Sequence, residues 1–164
     1  WHAGKSNWKS LKSLNKYSIG IEIHNPGHQY GYQNFKSNQI LSLSKLLRYL
    51  VKKYKIKKKN VLGHSDIAPN RKKDPGEKFP WKKLAKKKLC LWHNLNEKII
   101  KKFRKQEINY IYKRVFINNL NKIGYSNQSN KYLTEAFQRR FRQELVDGKI
   151  DKECFLISKN LLKL

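Results

Sequence analysis

Gly63-His64-Ser65-Asp66-Ile67-Ala68-Pro69-Asn70-Arg71-Lys72-Lys73-Asp74-Pro75-Gly76 is the stretch on which the reading of this 164-residue chain turns. The apolar lead-in Asn60-Val61-Leu62 predicts a strand that delivers His64. Two prolines, an Asn and a Gly then predict that the residues after it stay out as a loop. His64 and Asp74 lie ten positions apart, too far to share a helical face, but a loop that folds back can bring imidazole and carboxylate together. Such a pair supplies two of the three protein ligands that a catalytic zinc uses. Lys72, two residues before Asp74, would point the same way in extended chain, where an ammonium suits a developing oxyanion. The same spacing also fits a basic surface loop with one hydrogen-bonded His and a capping Asp, because geometry rather than spacing identifies a metal site.

Upstream of this stretch, Tyr17 to Asn25 alternates strictly. Ile19, Ile21 and Ile23 share one face, and Ser18, Gly20, Glu22 and His24 the other. That is the pattern of a half-buried strand whose polar face can look into a cleft, with Gly20 leaving room beside Glu22. Taken alone, Glu22 reads as a solvated side chain, and His24 and His28 as cleft-edge or surface residues. Trp1-His2-Ala3-Gly4 and Trp8 open the chain, and an aromatic pair near a terminus ordinarily packs in a core. Ser37 is placed to cap a helix whose apolar residues, Ile40 to Tyr54, recur at helical spacing, and Pro80-Trp81 to open a shorter one reaching about Leu91.

Downstream, Trp92 to Gln106 is polar and reads as a linker. Three amphipathic helices are predicted after it: one from Ile108 to Ile123 stopped by Gly124, one across Tyr132 to Phe141, and one capped by Asp151. The fold class expected is therefore α/β, a mixed sheet flanked by helices, plus a small three-helix domain. The boundaries are 1–92, a linker over 93–106, and 107–164. Three short helices make a marginal core that gains from docking on the first domain.

Lys and Arg number 38 against 11 acids, for a net charge of +27. The excess is spread along the chain, with 22 basic and 4 acidic residues in 1–92 and 16 and 7 in 93–164. Such a charge favours a polyanionic partner: nucleic acid, an anionic membrane surface or a carboxylate-bearing cell wall. The abundance of Lys, Asn and Ile also fits nucleotide bias. No apolar run is long enough to span a bilayer. Cys90 and Cys154 have no metal-type spacing. Position 1 is not Met, and the natural N-terminus is expected to lie outside these residues.

His64-Ser65-Asp66-Ile67-Ala68-Pro69, then Arg71-Lys72-Lys73-Asp74-Pro75-Gly76, then Phe79-Pro80-Trp81, closely resembles the zinc-dependent N-acetylmuramoyl-L-alanine amidases of the AmpD/AmiD type. The resemblance spans about Trp1 to Trp81. It implies Zn2+ as cofactor, with His64 and Asp74 as ligands and Lys72 assisting catalysis. A strand similar to Ser18-Ile19-Gly20-Ile21-Glu22 carries the Glu that works on the zinc-bound water, so Glu22 is the implied general base. A Trp-His-Ala-Gly segment borders the family's active-site groove, which makes His2 and Trp8 candidates for substrate contact.

Gly124-Tyr125, Thr134, Ala136-Phe137-Gln138, Asp147-Gly148 and Asp151 are similar to small helical peptidoglycan-binding domains. The implied partner is peptidoglycan or a muropeptide rather than a specific nucleic acid, bound by a monomer. The implied setting is the bacterial cell envelope or periplasm, with the cytoplasm as alternative.

The resemblance implies a first zinc ligand, a His upstream of the Trp-His-Ala-Gly segment, at a position before the first residue of this sequence. Three readings remain: a fragment of a longer protein, which the retained site residues favour; a remnant that binds peptidoglycan without cutting it; or His2 filling the vacancy.

Overall fold

The computed structural model describes residues 1–126 and 128–164. The chain opens in an antiparallel hairpin, β1 (Asn7–Trp8) paired with β2 (Leu11–Lys12), in the register Trp8 opposite Leu11. The long helix α1 (Ser37–Lys53) follows, then the single turn α2 (His64–Ile67) and the short α3 (Trp81–Lys86). One further turn, α4 (Glu97–Ile100), leads to α5 (Tyr110–Ile123), α6 (Asn130–Phe141) and α7 (Lys152–Leu161).

The helix signals act largely as expected. Gly124, at φ 141°, ends α5, and Asp151 caps α7 by accepting the Cys154 N–H at 2.9 Å. At α1 the capping residue is Lys36 rather than Ser37: the Gln39 side chain reaches back to accept the Lys36 N–H, satisfying one of the helix's orphan donors.

Both expected strands are absent as strands. Residues 18–26 form neither strand nor helix; among the described residues they make no backbone-to-backbone hydrogen bond, and Ile19 is exposed while Ile21 and Ile23 pack half-buried on the cluster around Phe79 and Trp81. Alternation marks a two-faced segment, and a strand also needs a neighbour to share its ladder. Before Val61, Lys58–Asn60 form a 3-10 turn, and the chain then enters α2 at His64 itself. Among the described residues the fold is helix-rich with one small two-stranded sheet.

Two apolar clusters hold the molecule. One is local: Ile40, Leu43 and Leu47 of α1 meet Phe79, Trp81, Leu84 and Leu89. The other joins distant parts of the sequence. Ala3, Trp8 and Leu14 from the N-terminal part pack with Ile100 and with Phe116, Leu120, Phe137 and Cys154 of the C-terminal helices. Each large side chain fully buried there contributes about 1.5–3 kcal/mol. Residues 93–106 take part in this packing: Ile100 is buried, and Arg104 makes a two-pronged ion pair with Glu153 of α7 at 2.7 and 2.9 Å.

Candidate active site

Gly63 and α2 present His64 at the start of a one-turn helix, and the loop that follows returns so that the Asp74 carbonyl accepts the Ser65 N–H at 2.9 Å. That return brings His64 Nδ1 to 3.0 Å from Asp74 Oδ2. The other ring nitrogen, Nε2, lies 3.2 Å from the Ala3 carbonyl oxygen. Ala3 is in turn held by Arg71, which donates to the Ala3 and Lys5 carbonyls at 2.9 Å. The N-terminal residues are thus tied to the loop through His64 and Arg71. Asp74 keeps 60 % of its side chain exposed, open to a ligand. Burial pushes its carboxyl up, but the hydrogen bond and charge of His64, a backbone N–H and the charge of Lys72 outweigh that and hold it below the ordinary carboxylate value.

The pair has the chemistry of metal donors. An imidazole nitrogen and a carboxylate oxygen converge, while the second ring nitrogen faces a backbone carbonyl, the outer contact that fixes a ligating His in orientation and tautomer. Among the described residues, no group of three His, Cys, Asp or Glu side chains surrounds a common point. His64 and Asp74 therefore fit a metal as two donors. His2 is not a third: its Nε2 contacts the Ser18 hydroxyl at 2.8 Å, and its ring packs on Gly20, where an added Cβ would lie 2.5 Å from the ring.

These contacts locate the remaining candidates. Residues 18–20 lie against His2, the neighbour of Ala3, so the segment carrying Glu22 runs beside the site; Glu22 itself is exposed. Lys72 is half-buried, its N–H donated to the Ala68 carbonyl at 2.9 Å. Trp8, expected to touch substrate, is instead core: 5 % exposed, edge-on to Tyr125 at 5.2 Å, and close enough to Gly124 that a Cβ there would sit 2.6 Å from the indole.

Two supports escaped the sequence reading. Asp66, only 1 % exposed, accepts from the Gly63 N–H at 2.8 Å, from the Tyr125 hydroxyl at 2.7 Å and from Arg140 Nη1 at 2.7 Å. Arg140 also donates to the Val61 carbonyl and lies over the Trp81 ring. Burial would lower the Arg140 pKa, but Asp66 and its neighbours raise it, so the guanidinium stays charged. The Gly63–Asp66 spacing is a capping signature that sequence could have flagged; its partner 74 positions on left no trace there. The second support is Tyr32, whose hydroxyl donates to the Pro75 carbonyl and accepts the Lys78 N–H. Its phenol lies where a Cβ on Gly76 would meet it at 2.5 Å, and burial first of all pushes its pKa up to about 12. His28 stacks on Tyr32 and pairs with Glu77 at 3.0 Å, so the loop carrying both clamps the Asp74–Lys78 segment.

A fold of this kind with a His–Asp pair on a returning loop defines a class, and the sequence comparisons name it. The family model described as N-acetylmuramoyl-L-alanine amidase matches residues 1–77. The chain is 33 % identical over 174 residues to the N-acetylmuramoyl-L-alanine amidase AmiD of Escherichia coli (strain K12), covering 99 % of this chain and 63 % of AmiD. It is 40 % identical over 84 residues to the 1,6-anhydro-N-acetylmuramyl-L-alanine amidase AmpD of Haemophilus influenzae, covering 51 % of this chain and 44 % of AmpD.

Among solved structures, E. coli AmiD in complex with the substrate anhydro-N-acetylmuramic acid-L-Ala-D-gamma-Glu-L-Lys superposes with a TM-score of 0.86 at 32 % identity, covering 99 % of this chain and 68 % of AmiD's. AmpDH3 of Pseudomonas aeruginosa gives 0.85 at 31 % identity, with coverage of 99 % and 68 %. The chain belongs to the AmpD/AmiD-type N-acetylmuramoyl-L-alanine amidase family. It spans about 63 % of the length of the curated AmiD sequence.

Proposed function

We propose that this chain is the greater part of an enzyme that hydrolyses the amide between N-acetylmuramic acid and the L-alanine of the stem peptide, in peptidoglycan or soluble muropeptides. The observation that carries the reading is the convergence of His64 Nδ1 and Asp74 Oδ2 at 3.0 Å within the residues matched to the amidase family. His64 and Asp74 would hold Zn2+, which when bound activates water and polarises a carbonyl. The roles of the chain's own residues follow. The Ala3 carbonyl and Arg71 keep the His64 ring in place. Glu22, on the segment beside His2, takes the proton of the attacking water. Lys72, whose charge already acts on Asp74, stabilises the oxyanion as the amide carbonyl becomes tetrahedral. His2 lines the approach for substrate. Residues 107–164 hold the glycan, in a monomer, and the substrate places the protein in the bacterial envelope or periplasm, with the cytoplasm as the alternative. No helix among the described residues is long and apolar enough to cross a membrane.

The test is mass spectrometry of muropeptides incubated with the protein and zinc, with a chelator control. Chelator-sensitive separation of sugar from peptide is expected, and Glu22→Ala should abolish it while zinc still binds. A second reading, a peptidoglycan binder that does not cut, is favoured by the two-donor site. Binding to sacculi with no released peptide would establish it.

A further inference from the structure

The solvent side of α1 mixes lysine and arginine with leucine and tyrosine, and it lies opposite the face that the core uses. We propose that this side, with the lysine-rich turn after it, is a docking surface for a bilayer with anionic headgroups, on which the helix lies flat. The proposal goes beyond the amidase reading and does not depend on it.

Two sides of α1 do different work. Ile40, Leu43 and Leu47 are buried against Phe79, Trp81 and Leu84. On the other side Leu41, Lys45, Arg48 and Lys52 recur at the spacing of one helical stripe, and Leu46, Tyr49 and Lys53 form the stripe beside it. All seven are exposed, Leu41 by 52 % and Tyr49 by 57 %. Apolar area kept outward on a helix whose core face is already filled adds nothing to the fold. No helix among the described residues could cross a bilayer, so α1 can meet one only by lying along its surface.

The charge of this side is not neutralised internally. From residue 23 to residue 65 the sequence holds nine lysines and arginines and no acid. Nine of the eleven acidic side chains are engaged in ion pairs, and among the described residues none of those pairs includes a lysine or arginine of this stretch. The cationic surface continues past the end of α1 to the hairpin: burial, and then the charges of Lys59 and Lys57, hold the Lys9 ammonium below its ordinary pKa. Like charges gathered over an area are complemented by an anionic surface of similar extent, which attracts each of them separately.

The apolar content selects lipid among polyanions. Lys53 Nζ donates to the Tyr49 hydroxyl at 3.0 Å and lies 5.3 and 5.4 Å from the centres of the Tyr49 and Tyr54 rings. Two exposed phenols around one ammonium suit the depth of lipid headgroups, where a ring can face the acyl chains while its hydroxyl stays wet. Leu41 and Leu46 offer a nucleic acid no ring for its bases to stack on, but they can enter the boundary beneath the headgroups.

Flotation with phosphatidylcholine vesicles, with and without phosphatidylglycerol, tests the proposal. The protein should float with the anionic vesicles alone, and less as salt rises. Lys45→Glu with Lys52→Glu should weaken binding at least about tenfold. Leu41→Ser with Leu46→Ser, which keeps the charge and alters exposed positions, should weaken it about threefold. Lys149→Glu with Lys163→Glu, an equal charge change far along the chain, should leave it within about twofold. The proposal is overturned if no vesicle captures the protein, if neutral vesicles capture it equally, or if the two charge variants lose binding equally. It is also overturned if the serine variant binds like the parent, or if a single-stranded oligonucleotide binds more tightly than the vesicles and is weakened by the same substitutions.

Discussion

Residues 18–26 and the loop from Gly63 to Gly76 invert what their sequences promise. The first has the cleaner periodicity, yet it makes no backbone-to-backbone hydrogen bond to another described residue, and of its apolar face only Ile21 and Ile23 are partly buried. The second has no periodicity, yet it is held from several sides: by Arg140 and Tyr125 on Asp66, by Arg71 on the Ala3 and Lys5 carbonyls, and by Tyr32 on Pro75. Periodicity reports which face a segment would bury. Whether it is fixed depends on what lies beside it, and for the loop that neighbour is a set of polar side chains from far along the chain.

The largest way to break the contrast is at Arg140. Arg140→Ala leaves the Asp66 carboxylate buried without its cation and should cost about 3–5 kcal/mol in urea unfolding. Pairing it with Asp66→Asn should recover part of that loss; equal loss in single and double variants would mean the ion pair is not the tether. Next is His93, in the segment that joins the amidase residues to the helices. Burial lowers its pKa from 6.5 to about 4. The unfolded chain then binds a proton that the native state refuses, so stability should fall as pH drops from about 6.5 towards 4, by up to about 3 kcal/mol. His93→Gln should flatten the profile in that window, and an unchanged slope would place the titration elsewhere.

Tyr32→Phe removes one hydroxyl from the loop clamp and should cost about 1 kcal/mol, with faster amide exchange confined to residues 76–78. Protection unchanged there would show that stacking on His28, not the hydroxyl, secures the loop. Smallest is Ile19→Thr. Ile19 is 51 % exposed, so the change should stay within about 0.5 kcal/mol. A loss above 1 kcal/mol would show that the Ile19 side chain is packed after all.

Part of the candidate site was legible because it is local in sequence: His64 and Asp74 lie within one loop, and the structure brings their side chains to 3.0 Å. The C-terminal helices were legible for a similar reason, since Gly124 and Asp151 announce where α5 stops and α7 starts. Periodicity over-reached in α5, where Ile111, Tyr112 and Val115 continue the apolar pattern but stay exposed while Phe116 and Leu120 are buried. Trp8 misled because resemblance placed it at a groove, and only the approach of Gly124 shows that its indole is enclosed. The ties through Asp66 and Tyr32 could not be read at all, because a hydrogen bond across 43 to 74 positions leaves no pattern in either partner's neighbourhood.

The core that Ala3, Trp8 and Leu14 share with the C-terminal helices also limits how this protein can be taken apart. A gene fusion or truncation cut at the polar stretch around residue 106 would separate the indole of Trp8 from Gly124 and Tyr125, and Asp66 from Arg140. Each half would carry a raw apolar surface and a stranded charge. The two halves are therefore not interchangeable cassettes, and transplanting the helices onto another domain would require carrying the hairpin and the α2 turn with them.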